Sequence, residues 1–145
     1  LLLGNRCGDD YDYEPAEEEA IETLSFAVSP RMLSPSEVCT VTLSGTIPAT
    51  YADAKVTFSL SKRIDGDFES VLMYMKDDST PDWLAVSGST YPIPSEEYAA
   101  VSKTLSLLLP AAGDYCLSVS VRATDTEKEN TVGVFYGNKY LIVGD

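Results

Sequence analysis

Apolar and polar residues alternate along most of the chain after residue 22, and this two-residue period is typical of half-buried β-strands. The clearest case is the segment 105–122, where a short corner containing Pro110 and Gly113 separates two alternating runs. Each run places its apolar side chains on one face of a strand. These side chains are Leu105, Leu107 and Leu109 before the corner, and Tyr115, Leu117, Val119 and Val121 after it. The pattern predicts strand, corner and strand within an all-β fold.

Further alternating or β-rich runs are bounded by proline, glycine and other turn residues. The pair Asp65-Gly66 predicts a hairpin turn, which also explains the acids at positions 65, 67 and 69 without a metal site. Residues 88–97, with two prolines, are predicted to form a long irregular connection. About eight strands at this spacing predict an antiparallel β-sandwich over residues 22–145. The predicted strands are 23–29, 37–47, 54–63, 68–76, 83–87, 99–109, 115–123 and 131–143.

The corner resembles the E-to-F corner of immunoglobulin-like and fibronectin type III domains, with its Leu-x-Leu, its Pro/Gly turn and then Gly113-Asp114-Tyr115. The resemblance implies an immunoglobulin-like sandwich in which the hydroxyl of Tyr115 hydrogen-bonds back to the corner backbone. The immunoglobulin cysteine would stand two residues after the tyrosine, where this chain has Leu117, and Cys116 comes one residue early. The resemblance is therefore to the broad sandwich class, over residues 22–143.

The first ten residues contain three leucines, then Cys7, then Asp9 and Asp10. This arrangement resembles the N-terminus of Gram-negative lipoproteins, in which the cysteine is lipidated and nearby acids accompany display at the cell surface. The resemblance implies that residues 1–7 are the remnant of a signal segment and that Cys7 anchors the protein in the outer membrane or at the cell surface. Arg6 departs from the pattern, because the residue before the cysteine is normally small. The alternative is a terminus with an incidental cysteine.

Residues 8–21 are acidic and low in large apolar groups, so they are predicted to form a flexible tether. The whole chain has a formal net charge of −13, and eight of its acids lie in the first 22 residues. An acidic surface repels phosphate backbones, so nucleic acid is not an expected partner.

Cys39 and Cys116 would form the remaining cysteine pair if Cys7 is lipidated, and the oxidising cell envelope would favour a disulfide between them. Cys39 shares a face with inward-facing Val41, whereas Cys116 shares a face with outward-facing Ser118. A disulfide therefore needs a bulge near the corner, and two free thiols are the alternative.

The chain contains no histidine, which removes the usual general base and the commonest metal ligand. No catalytic pair stands out, so the protein is expected not to be an enzyme and to need no metal or cofactor. Trp83, Tyr91 and Tyr98 cluster in the least regular segment. Exposed aromatic rings on sandwich loops can stack on sugars or on a partner protein, which makes these three the candidate ligand-binding residues. The alternative is that they cap the core.

These observations predict a non-enzymatic, immunoglobulin-like module of a cell-envelope lipoprotein that acts in adhesion, assembly or ligand display. Its expected partner is a protein or glycan at the cell surface, and its expected contact with the membrane is only the lipid anchor at Cys7. A carbohydrate-binding module that uses the exposed aromatics is the main alternative. A third hypothesis is an enzyme with two facing carboxylates that the sequence pattern does not reveal.

Overall fold

A computed structural model of the chain describes residues 16–77 and 82–145. Cys7, the predicted signal remnant 1–7 and residues 8–15 of the predicted tether lie outside the described residues.

Twelve strands and one 3₁₀ helix make up the regular structure of the described residues. The long strands alternate buried and exposed residues; a shorter example is the second strand, in which Leu24, Phe26 and Val28 are buried and the residues between them are exposed. The strands are β1 (Glu17–Ala20), β2 (Leu24–Ser29), β3 (Met32–Leu33), β4 (Val38–Gly45), β5 (Tyr51–Ile64), β6 (Asp67–Val71), β7 (Met73–Lys76), β8 (Leu84–Val86), β9 (Ser89–Pro92), β10 (Val101–Leu108), β11 (Gly113–Asp125) and β12 (Thr131–Val143), and the 3₁₀ helix is Ser95–Ala100.

The strands form two sheets, so the predicted all-β sandwich is confirmed. The seven-stranded sheet has the order β9-β5-β11-β12-β1, with β6 beside β5 and β3 beside β12. The five-stranded sheet has the order β2-β4-β10-β7-β8. Most neighbours are antiparallel, but β1 and β3 both run parallel to β12. The core lies between the sheets and is filled by alternate side chains of the long strands. Its fully buried members include Leu43, Val56, Phe58, Leu60, Leu107, Leu117, Val121 and Leu141.

The predicted strand 68–76 is two strands that belong to different sheets. β6 pairs with β5 in the seven-stranded sheet, and β7 pairs with β10 in the five-stranded sheet. Leu72 lies between them and is 55% exposed. Neither glycine nor proline marks this crossing, and the apolar run 71–75 continues through it, so the sequence predicts one strand although the chain changes sheets. The turn at Asp65-Gly66 was predicted, and both residues have the positive φ angles, 53° and 92°, that a tight hairpin turn requires.

The sandwich begins earlier than residue 22, because β1 lies inside the segment predicted as a tether. β1 pairs with residues 131–134 of β12, and Ile21, which follows β1, is buried in the core. Backbone hydrogen bonds and paired acids hold this strand, so it needs no apolar alternation. Glu18 lies 3.2 Å from Arg122, and Glu19 lies 2.6 Å from Lys128.

The connection 88–97, predicted to be irregular, contains the edge strand β9 and the start of the 3₁₀ helix. β9 pairs with β5, and its last residue, Pro92, is opposite Lys55. Proline is tolerated there because an edge strand has one side without a neighbouring strand. The correction matters for function, since this segment carries Tyr91 and ends next to Tyr98, two of the three aromatic residues singled out above.

Candidate binding surface

Of the three aromatic residues predicted to bind a ligand, one is buried, and the other two are partly buried and lie at different sheets. Trp83 lies just before β8, at the edge of the five-stranded sheet, and is partly buried under the ammonium group of Lys76, whose Nζ is 5.2 Å from the ring centroid. Tyr91 lies in β9, on the seven-stranded sheet, and its ring packs edge-on against Phe58. Tyr98 is buried, and its hydroxyl accepts a hydrogen bond from the backbone N–H of Ala54 at 3.1 Å. Tyr98 is thus a core residue that has no ring face available to a ligand.

Cys39 and Cys116 are both free thiols, so the candidate disulfide is absent. Cys39 is buried on the inner face of β4, whereas Cys116 lies on the outer face of β11, opposite Tyr140. The two residues belong to different sheets, and no bulge turns the side chain of Cys116 inward. Burial raises the pKa of the Cys39 thiol to about 11.

Tyr115 occupies the corner between β10 and β11. Its hydroxyl donates a hydrogen bond of 2.8 Å to the carbonyl oxygen of Ala111. The Nζ of Lys62 lies 5.6 Å from its ring centroid, and burial raises the pKa of its hydroxyl. The residue is positioned to brace the corner, which is a structural role, and it presents nothing to a ligand.

The exposed aromatic residues lie instead on the outer face of the seven-stranded sheet. Tyr136 and Tyr140 on β12 are 60% and 59% exposed, and the side chain of Asn138 lies between them on the same face. The alternation within the predicted strand 131–143 indicates that these three residues face outward, because they lie on the strand face opposite to that of buried Leu141. A prediction based on loop residues does not include these residues, because they lie within a strand.

A groove of about 320 Å³ crosses this outer face beside Tyr136. Its floor consists of two rows, each with one residue from β5, one from β11 and one from β12. None of the six side chains in the two rows is charged, and five of them carry a hydroxyl group. The rows are Thr57, Ser120 and Tyr136, and Ser59, Ser118 and Asn138. Such a groove offers hydrogen-bond donors and acceptors beside an amphipathic ring.

Internal hydrogen bonds already orient part of this groove. The hydroxyl of Ser118 donates to Oδ1 of Asn138 at 2.7 Å. The hydroxyl of Tyr136 donates to Oε2 of Glu18 at 3.2 Å, and Arg122 donates to the same oxygen. The ring of Tyr136 is therefore held at the groove by β1, the strand that the sequence did not predict.

A second depression, of about 380 Å³, continues the groove toward β9 and shares Thr57 and Ser120 with it. Lys55, Arg122 and Asp53 line this second part, so it is charged where the first is neutral. At the opposite end of the sheet, the ring of Tyr140 lies 5.9 Å from that of Phe68. The face thus has a neutral centre, a charged end and an aromatic end.

No group of three or more histidine, cysteine or acidic residues is placed to hold a metal ion within residues 16–77 and 82–145. The same part of the chain includes no helix that is both long and apolar enough to cross a bilayer.

No protein-family model matches the chain, and no curated protein matches it. AvmM, which catalyses macrocyclization in alchivemycin A biosynthesis, is similar in structure with a TM-score of 0.55 and 11% identity, over 91% of this chain and 97% of that chain. The reeler domain of human F-spondin is similar with a TM-score of 0.50 and 14% identity, over 90% of this chain and 95% of that chain. A conjugative transposon lipoprotein from Bacteroides eggerthii has a TM-score of 0.44 and 12% identity, over 81% and 96% of the two chains. At these identities the first two likenesses show the all-β sandwich fold alone, and a fold by itself does not determine function.

Proposed function

We propose that this chain is a non-enzymatic, immunoglobulin-like binding module of a cell-envelope lipoprotein, and that it presents the outer face of its seven-stranded sheet to a ligand. The observation that carries the proposal is the groove beside Tyr136, where an exposed ring borders uncharged hydrogen-bonding side chains. The immunoglobulin-like character is supported by the corner hydrogen bond of Tyr115. The non-enzymatic character is supported by the lack of histidine in the whole chain.

Attachment to the envelope rests on Cys7, which follows an apolar run and precedes two acids. Residues 8–16 separate it from β1, so an anchor there would leave the sandwich free to present its outer sheet face. The test is cell fractionation with mass spectrometry of the N-terminus. Cys7→Ser should move the protein from the membrane fraction to the soluble fraction, whereas Cys116→Ser should leave it in the membrane fraction. A native protein without an acyl group on Cys7 would contradict the anchor.

A second candidate function, carbohydrate binding, is favoured by the chemistry of the groove itself. Sugars offer hydroxyl groups to polar side chains and an apolar ring face to an aromatic side chain. The neutral centre of the groove suits an uncharged oligosaccharide. In this proposal the aromatic ring that contacts the ligand is that of Tyr136, and not those of Trp83, Tyr91 and Tyr98.

The two exposed tyrosines of β12 provide a matched pair for testing the groove. Neutral oligosaccharides, such as β-1,4-linked and α-1,4-linked glucose hexamers, would be titrated while amide chemical shifts are recorded. Tyr136→Ala should reduce any affinity at least tenfold, whereas Tyr140→Ala, at an equally exposed ring outside the groove, should leave it unchanged. An affinity that depends on Tyr140 and is indifferent to Tyr136 would contradict the groove as the site.

A further inference from the structure

The outer edge of β12 is paired with a strand at each of its two ends and is unpaired in the middle, where Phe26 of β2 packs against the inner face at Gly137. β1 pairs with residues 131–134, and β3 pairs with residues 142 and 143. Between them, no strand of the described chain pairs with this side of residues 135–141. We name these seven residues the β12 notch. A gap of this kind is a template for an additional strand, because its backbone groups are aligned and without a neighbouring strand.

The directions of the flanking hydrogen bonds show which backbone groups face the notch. The N–H of Ile21 donates to the carbonyl oxygen of Val134 at 2.7 Å, and the N–H of Ile142 donates to the carbonyl oxygen of Arg31 at 2.8 Å. Alternate residues of a strand direct their backbone groups to the same side, and the pairing of β12 with β11 is uninterrupted over this segment. The N–H and C=O groups of Tyr136, Asn138 and Tyr140 therefore point into the notch. All three residues are exposed.

The flanking strands determine what can enter. A second copy that offered its own β12 would also bring its β1 and β3, and these would collide with the strands at both ends of the notch. A single extended segment avoids this collision if it enters and leaves within about seven residues, or about 23 Å at 3.3 Å per residue. The geometry thus favours a short extended peptide over a dimer formed through this edge.

Lys139 gives the notch a chemical preference. It is opposite Leu117, so it lies on the inner face of the sheet, where it is partly buried. None of the ion pairs recorded for the described residues includes it. An added strand would place one side chain directly beside Lys139, where opposite charges attract and like charges repel. Lysine at a sheet edge also discourages unselective strand pairing, so it can act as a filter.

We propose that the β12 notch binds a short extended segment of a partner protein by strand addition, and that Lys139 selects segments with an acidic residue beside it. Backbone hydrogen bonds to Tyr136, Asn138 and Tyr140 supply affinity, and alternate side chains supply specificity, as in other cases of strand addition. This site uses the backbone edge of Tyr136 and Asn138, whereas the groove on the sheet face uses their side chains.

The test uses the full chain and two synthetic heptapeptides with blocked ends. Both alternate threonine and valine, which favour the extended state, and they differ only at the third and fifth positions, which are glutamate in one and lysine in the other. In a heptapeptide aligned with residues 135–141, one of these two positions is opposite Lys139 in either strand direction. The glutamate peptide should bind at least tenfold more tightly than the lysine peptide. Lys139→Glu should reverse that preference. On binding, the amides of Tyr136, Asn138 and Tyr140 should become protected from hydrogen exchange.

Asn138→Pro should block the notch, because proline lacks the backbone N–H that Asn138 directs into the notch. The pairing of β12 with β11 does not use this N–H group. The proline variant should abolish peptide binding, whereas Asn138→Ala, which loses the same side-chain hydrogen bond, should retain it. Equal thermal stability of these two variants would show that the proline has not unfolded the strand. The proposal is overturned if both peptides bind equally to the native chain and to Lys139→Glu, or if Asn138→Pro binds as well as Asn138→Ala. It is also overturned if the three amides are already protected without peptide, or if sedimentation shows a dimer that Asn138→Pro disrupts.

Discussion

The hydroxyl of Tyr115 donates a 2.8 Å hydrogen bond to the carbonyl oxygen of Ala111, four residues earlier in the chain. This bond closes the corner through which the chain passes from β10, in the five-stranded sheet, to β11, in the seven-stranded sheet. One side chain thus fixes the geometry with which the two sheets are joined at this point.

Tyr115→Phe should lower the free energy of unfolding by about 1 kcal/mol, because it removes this hydrogen bond and keeps the buried ring. Tyr136→Phe is the matched control, since its hydroxyl bonds to Glu18 at an exposed site and its loss should have little effect. Urea denaturation monitored by circular dichroism measures both. Equal midpoints for Tyr115→Phe and the native protein would show that the corner does not depend on this bond.

Gly45 should tolerate alanine far less well than Gly66, although both have positive φ angles, of 126° and 92°. A Cβ on Gly45 would lie 2.1 Å from the carbonyl oxygen of Thr23, whereas a Cβ on Gly66 would meet nothing within 4 Å. Gly66→Ala should therefore cost about 1 kcal/mol from backbone strain alone. Gly45→Ala should cost about 3 kcal/mol or more, because the clash adds to the strain. Thermal unfolding of the two variants tests this difference, and similar losses would contradict it.

Cys39 should resist alkylation in the folded protein, since burial raises its thiol pKa to about 11 and the thiolate is the reactive form. At pH 8, iodoacetamide should modify the more exposed Cys116, and it should modify Cys39 only after unfolding. The folded state favours the neutral thiol of Cys39 over the thiolate. This preference contributes fully to the free energy of unfolding below the ordinary pKa of 9.0, and the contribution is lost as the pH rises toward about 11. The Cys39→Ala variant should therefore lose less stability than the native protein when the pH is raised from 9 to 11. Rapid modification of Cys39 at pH 8 in the native protein would contradict its burial.

Asp125 should contribute to stability at neutral pH and lose that contribution in acid. The backbone N–H groups of Glu127 and Lys128 donate to its carboxylate at 2.8 and 3.2 Å, and they hold its pKa below the ordinary value. A lowered folded pKa means that the stabilisation is present above the unfolded value, about 3.9, and disappears as the pH falls through the folded value. Asp125→Asn should therefore be less stable than the native protein at pH 7, with a smaller further loss below pH 4. Parallel acid denaturation curves would argue against this role.

The sequence predicted the long strands well, because their two-residue period follows directly from burial of one face. The strand 131–143 has the predicted bounds, and its outward residues could have been identified from the same alternation. The sequence could not predict β1, since Glu17–Ala20 lacks an apolar face and is held by pairing with β12. It could not predict the change of sheets at Leu72 either, because an apolar run without glycine or proline, residues 71–75, continues through the crossing.

The binding surface was harder to predict than the fold for a similar reason. Tyr98 resembled a loop residue in a segment with two prolines, yet the 3₁₀ helix turns its ring into the core. The groove exists only where β5, β11 and β12 lie side by side. Its rows join residues distant in the chain, so no local pattern in the sequence contains them.

The parallel pairing of β1 and β3 with β12 joins the two ends of the described chain, and this affects the order in which the protein can fold. Residues 17–20 are made before their partners, residues 131–134. During synthesis β1 therefore has no partner on the sheet until β12 has emerged. Contacts between residues so far apart in the sequence also form slowly, because closing the long loop between them costs conformational entropy. A truncation within β12 should consequently release both ends of the fold together.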